Sequence, residues 1–139
     1  MRLLFDTNVV LDVLLRRVPW LIDSRSCWDL VASGRVTGFV SASTLTDIYY
    51  LVRRQTGHAQ ARLAVVNCVA TFAVAAVDGL HVVSALASPG PDFEDNLQIA
   101  VAARLGCDFI VTRDLSDFAS ASVRPIHPAE LAATLRGDA

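Results

Sequence analysis

Cysteine is scarce in this chain, and it is scattered. Cys27, Cys68 and Cys107 are an odd number, and no C-x-x-C pair occurs. A zinc ribbon and a disulfide framework are therefore not expected, and three core thiols in a reducing cytoplasm are. Surplus positive charge is also missing. The 12 basic residues are all Arg, 14 acids outweigh them, and the net charge is −2. A globally basic nucleic-acid binder is ruled out on those numbers, though not a local basic patch. Long apolar runs are absent too. The longest, Leu63 to Val77, is broken by Asn67 and Thr71 and is shorter than the roughly 20 residues of a membrane span. In "MRLLFDTNVV", Asp6 arrives too early for a signal-peptide core, so a soluble protein is expected. No G-x-S-x-G elbow, P-loop, G-x-G-x-x-G or H-E-x-x-H is present. His58, His81 and His127 are far apart and read as structural. An aspartyl-phosphate enzyme would place an Asp where "FDTN" does, but Asn8 stands where its second Asp is expected.

What is there is apolar and regularly patterned. Hydrophobic residues make up 53% of the 139, enough for a sizeable core, and one domain over residues 1–139 is expected. "RLLF" (2–5) reads as a buried strand, and "DTNVVLDVLLRR" continues with apolar residues at helical spacing. A second helix fits "PWLIDSRSCWDLVASG". "TGFVSA" (37–42) is a second strand, followed by helices over "STLTDIYYLVRRQTG" and "HAQARLAVVNCVA". "TFAVAAVD" is the third strand, and "GLHVVSALAS" is a helix that breaks at Ser88-Pro89-Gly90-Pro91. A helix over "PDFEDNLQIAVAARL", a strand centred on Phe109–Val111, a short strand in "VRPIH" and a closing helix "PAELAATLRG" complete the chain. Strands that alternate with helices predict a parallel sheet covered on both faces.

Acids fall at telling places in this pattern. Asp6 and Asp114 directly follow strands, and the carboxyl ends of parallel strands are neighbours in space. Asp47 and Asp95 lie in the first turns of helices that start from the same edge. Four carboxylates converging there repel one another, raise one another's pKa, or bind a cation. Oxygen donors favour Mg²⁺ or Mn²⁺, and such ions assist cleavage of phosphodiesters.

With these motifs the chain resembles the PIN-domain ribonucleases, specifically VapC-type toxins of toxin–antitoxin pairs. The resemblance rests on "LLFDTNVVLDVLL", "SASTLTDIYYLVRR", "PDFEDNLQIAVAARLGCDFIVTRDLSDF" and "PIHPAEL", in that order, and spans almost the whole chain. It implies an α/β, PIN-like three-layer sandwich with a central parallel sheet of four to five strands. It implies a divalent-metal endoribonuclease, cytoplasmic and often homodimeric, whose partner is a small antitoxin with a C-terminal segment that blocks the site. Asp6, Asp47, Asp95 and Asp114 match the four acids, with metal held by Asp6, Asp95 and Asp114. Asp47 stands where Glu is usual and is one methylene shorter, so its contact with the metal, direct or through water, stays open. The Asp114 position is often Asn in relatives, with Asp117 as a nearby substitute. Asn8 and Thr112 match polar residues that steady the acids.

Plainer roles compete at several positions. Asp6 can cap the first helix, Asp47 can complete a capping box with Thr44, and Asp114 can be a turn residue. Asp92 reads as the N-cap of its helix and Glu94 as facing water. Asp12 reads as a solvated acid. Tyr49 and Tyr50 read as packing residues. Arg113 is the one modest candidate for an RNA phosphate contact. A different class also fits the pattern: a catalytically inactive PIN-like module that binds RNA or protein.

Overall fold

A computed structural model describes residues 1–136; Gly137, the expected stop of the last helix, lies outside the described residues. Five strands form one sheet: β1 (Arg2–Phe5), β2 (Thr37–Ser41), β3 (Ala73–Ala75), β4 (Phe109–Val111) and β5 (Arg124–Ile126). All neighbours pair in parallel, in the order β3-β2-β1-β4-β5. The connections are helical: α1 (Thr7–Leu14) and α2 (Leu21–Ala32), then α3 (Ala42–Thr56) and α4 (His58–Thr71), then α5 (Gly79–Ala87) and α6 (Phe93–Arg104). A 3₁₀ turn at Leu115–Phe118 leads to β5, and α7 (Pro128–Arg136) closes the chain.

Alternation along the short strands builds the three layers. Leu3 and Phe5 of β1 point into one core and Leu4 into the other. Val40 and Phe39 divide the same way in β2, as do Val111 and Ile110 in β4. One core gathers α1 to α4 and α7, with Phe72 packed against Phe5 and Trp28 at centroid distances of 5.0 and 4.9 Å. The other core lies under α6 and the 3₁₀ turn, around Leu4, Ile110, Val101 and Phe118. The three thiols are buried and free, and burial pushes Cys27 and Cys68 up to about 12 and Cys107 to about 11. They are inert packing groups.

Backbone chemistry sets several boundaries. Gly57, at φ 92°, ends α3 and starts α4. Gly38 lets α2 lie close on β2: an added Cβ would come within 2.5 Å of Val31 Cγ2. The third strand is shorter than its eight-residue pattern, because Phe72 still caps α4 and Asp78 already caps α5. There the Asp78 carboxylate accepts from the Leu80 and His81 amides, while His81 Nδ1 takes the Asp78 amide. No helix among the described residues is long and apolar enough to cross a membrane.

Candidate functional site

The sheet order puts β1 in the centre, with β2 on one side and β4 on the other. The chain leaves β1 toward β2 and returns much later on the opposite flank, so the edge beyond β1 and β4 is a topological switch point. Parallel sheets open a crevice at such points. Here the crevice is a cavity of about 520 Å³ walled by seven carboxylates: Asp6, Asp47, Asp92, Glu94, Asp95, Asp114 and Asp117. Asn8, Thr7, Tyr50 and Leu51 complete the lining, which holds no basic side chain among the described residues.

Asp6 is the fixed point. It ends β1, its amide donates to the Val111 carbonyl of β4 at 2.9 Å, and only 5% of it is exposed. Gln98 Nε2 donates to one carboxylate oxygen and Thr112 Oγ1 to the other, both at 3.0 Å. Burial raises the Asp6 pKa, and these two hydrogen bonds partly offset the rise. Asp6 occupies the N-cap position of α1 without making a side-chain cap bond, so its carboxylate is reserved for the cavity. Thr112 also accepts the Asp114 amide at 3.0 Å, which ties the turn after β4 to the same oxygen network.

Asp95 enters from the start of α6. Asp92 is the N-cap, accepting the Asp95 amide at 2.9 Å, as the sequence indicated. Burial pushes the Asp95 pKa up to about 7, and the charges of Asp92, Asp6, Asp117 and Asp114 add to the rise. Asn96 anchors this helix start by donating to the carbonyls of Ala85 and Gly90.

Asp47 does not belong to a capping box. The N-cap of α3 is Ser41, whose hydroxyl takes the Thr44 amide, which leaves Asp47 in the second turn and turned to the cavity. Thr44 instead meets Thr7 across α1 at 3.2 Å. Glu94, read as facing water, is exposed as expected and also lines the cavity, where the Asp47 side chain, ahead of desolvation and the other acidic neighbours, pushes its pKa up to about 7.

The reading of Asp12 is corrected. It is fully buried, not solvated. Arg113 holds it with two bonds of 2.8 and 3.2 Å, Ser24 donates at 3.2 Å, and Arg17 stands at 3.9 Å. The Arg113 guanidinium also lies 3.9 Å over the Trp20 ring. The residue suggested for an RNA phosphate is thus committed to a carboxylate and a ring inside the protein. Asn8 lines the cavity and accepts from Arg17 at 3.3 Å. Asp117 reaches the cavity from the 3₁₀ turn, an element the sequence pattern did not reveal. Gln98 and Glu94 were missed. Gln98 did leave a signal, a polar residue three positions after Asp95 within an apolar stretch.

Among the described residues, no three His, Cys, Asp or Glu side chains close into a cage around one point. The donor set nevertheless suits a hard divalent ion. Carboxylate oxygens spread around a wet cavity fit an ion that keeps several waters and takes only one or two protein ligands. Burial raises both Asp95 and Asp6, and acidic neighbours add to each rise, so a bound cation would relieve part of the cost of charging them.

A PIN domain family model matches residues 2–116. No curated protein matches in sequence. Several solved structures share the fold. VapBC2 from Rickettsia felis, bound to a DNA fragment from its promoter, aligns at TM-score 0.70 and 12% identity over 91% of this chain and 98% of that one. VapC20 from Mycobacterium tuberculosis, a Sarcin-Ricin loop cleaving toxin, aligns at TM-score 0.69 and 18% identity, covering 88% and 99%. FitAcB from Neisseria gonorrhoeae aligns at TM-score 0.68 and 18% identity, covering 91% and 97%.

Proposed function

The chain belongs to the PIN-domain family, and on that premise we propose that it is a divalent-metal-dependent endoribonuclease, the toxin of a toxin–antitoxin pair. The observation that carries the reading is the acid-walled cavity at the switch point, to which β1, α3, α6 and the turn after β4 all contribute carboxylates. The similarity to VapC20, a Sarcin-Ricin loop cleaving toxin, and to VapBC2 is in keeping with it. One PIN-like domain, acting in the cytoplasm as a homodimer with a small antitoxin whose C-terminal segment covers the acids, completes the reading.

Asp6, Asp95 and Asp114 would hold Mg²⁺ or Mn²⁺. When bound, the ion would supply charge neutralisation at the phosphate and an acidified water. The chain's own residues do the rest. Gln98 and Thr112 fix the rotamer of Asp6, and Thr112 places the Asp114 backbone. Asp47 and Glu94 line the same cavity, and Asp47 raises the Glu94 pKa to about 7, which suits Glu94 to supply a proton to a departing oxygen. Asp6→Asn and Asp95→Asn should each abolish metal-dependent cleavage of RNA while the fold persists. Unchanged cleavage in both would refute the reading. Absence of Mn²⁺ binding at millimolar concentration would favour the inactive binding module.

A further inference from the structure

We propose that Tyr50 is a stacking platform for an unpaired nucleobase beside the phosphate that is cut. The proposal rests on the nuclease reading above and adds the side chain that receives the base beside the cleaved bond.

Tyr50 follows Asp47 by three residues on α3, so both side chains lie on the same helical face and line the same cavity. The sequence pattern assigned both tyrosines to packing, and the structure separates them. Tyr49 is half-buried against the core and fixed by a 2.7 Å bond between its hydroxyl and His58 Nδ1. Tyr50 is 60% exposed and is the cavity's aromatic lining residue. It is also held in place: the two rings meet edge to face, 5.6 Å between centroids at 85°. A ring braced by a fixed neighbour and open to the cavity loses little freedom when a base lies on it.

The charge of the cavity favours such a contact. Its wall carries seven carboxylates and no basic side chain among the described residues. A polyanion gains no ion pair from that wall. A base offers an uncharged π-face, and stacking on an aromatic ring is insensitive to the carboxylates around it. RNA in a duplex keeps its bases stacked on one another, whereas loops and single strands can offer one to a protein ring.

The test uses the full chain and a short, unstructured, fluorescein-labelled RNA, with binding read by anisotropy in Ca²⁺ and cleavage read in Mn²⁺. Tyr50→Ala should weaken RNA binding roughly 5- to 150-fold. Tyr50→Phe should retain it, and Mn²⁺ affinity and Tm should be unchanged in both variants. A scan of single abasic nucleotides should find one position with the same loss in the wild type and no loss in Tyr50→Ala. Additive losses, a Tyr50→Phe variant as weak as Tyr50→Ala, or unaltered binding by Tyr50→Ala would overturn the platform. RNA that is bound with this pattern but left uncut in Mn²⁺ would sink the nuclease reading and leave the platform standing.

Discussion

Asp6 and Asp95 carry the same chemical group into different surroundings, and the difference predicts how each responds to change. Asp6 has two side-chain donors, so removing one should be felt at the metal before it is felt in the fold. Thr112→Val and Gln98→Ala should each lower Mn²⁺ affinity about 10- to 100-fold, measured by calorimetric titration. Asp95 has its cap bond at the backbone but no side-chain donor, and burial with acidic neighbours lifts it to about 7. Its folded pKa lies above its unfolded one. Its contribution to stability is therefore whole below the ordinary carboxylate value of 3.8 and is lost as pH rises through 7. Metal-free protein should lose stability across that window in urea melts. Asp95→Asn should flatten the profile and gain on the order of 1–2 kcal/mol at pH 8, after allowance for solvent screening. Residues of this kind were legible when they followed a strand or opened a helix, as Asp6 and Asp95 do. Gln98 and Glu94 were not, because what places them is a partner 92 positions away for the first and a cavity shared with Asp47 of another helix for the second.

Elements are held together by a few contacts that cost much when broken. Arg113, from the turn after β4, clamps the fully buried Asp12 of α1 and stacks on Trp20 ahead of α2. Arg113→Met leaves Asp12 buried without its bidentate partner and should cost about 3–5 kcal/mol in urea unfolding. Asp12→Leu combined with Arg113→Met should recover much of that loss. Gly38→Ala drives a Cβ into Val31 and should cost about 1–3 kcal/mol by overpacking α2 against β2. The elements themselves were readable, since apolar spacing and the glycine at the end of α3 locate them within a few residues. The 3₁₀ turn was not, because four residues are too few to show a period. Asp12 was misjudged for a related reason: an acid on an apolar helix reads as solvated unless the arginine 101 positions later is known to reach it.

At the scale of the molecule, acids gather at one edge while apolar groups remain uncovered on another face. Mn²⁺ at a hundredfold excess over its Kd should stabilise the protein by about 2.7 kcal/mol, seen as a rise in Tm that EDTA reverses. On α5, Leu80, Val83 and Leu86 are 65%, 66% and 72% exposed, an apolar face suited to the proposed homodimer. Val83→Arg with Leu86→Arg should then give a monomer in sedimentation analysis, and an unchanged mass would place the dimer contact elsewhere. Alternating strands and helices were enough to anticipate the layers and the parallel sheet. The strand order was not contained in that alternation, and it is what brings β4 beside β1. That order has a consequence in time. Asp6 leaves the ribosome well ahead of its two donors, which stand 92 and 106 positions downstream. A nascent chain can lay β2 and β3 beside β1 early, but β4 slots in only after α6 has been made. On the nuclease reading the domain is born blunt, and it acquires its edge only once β4 has joined it.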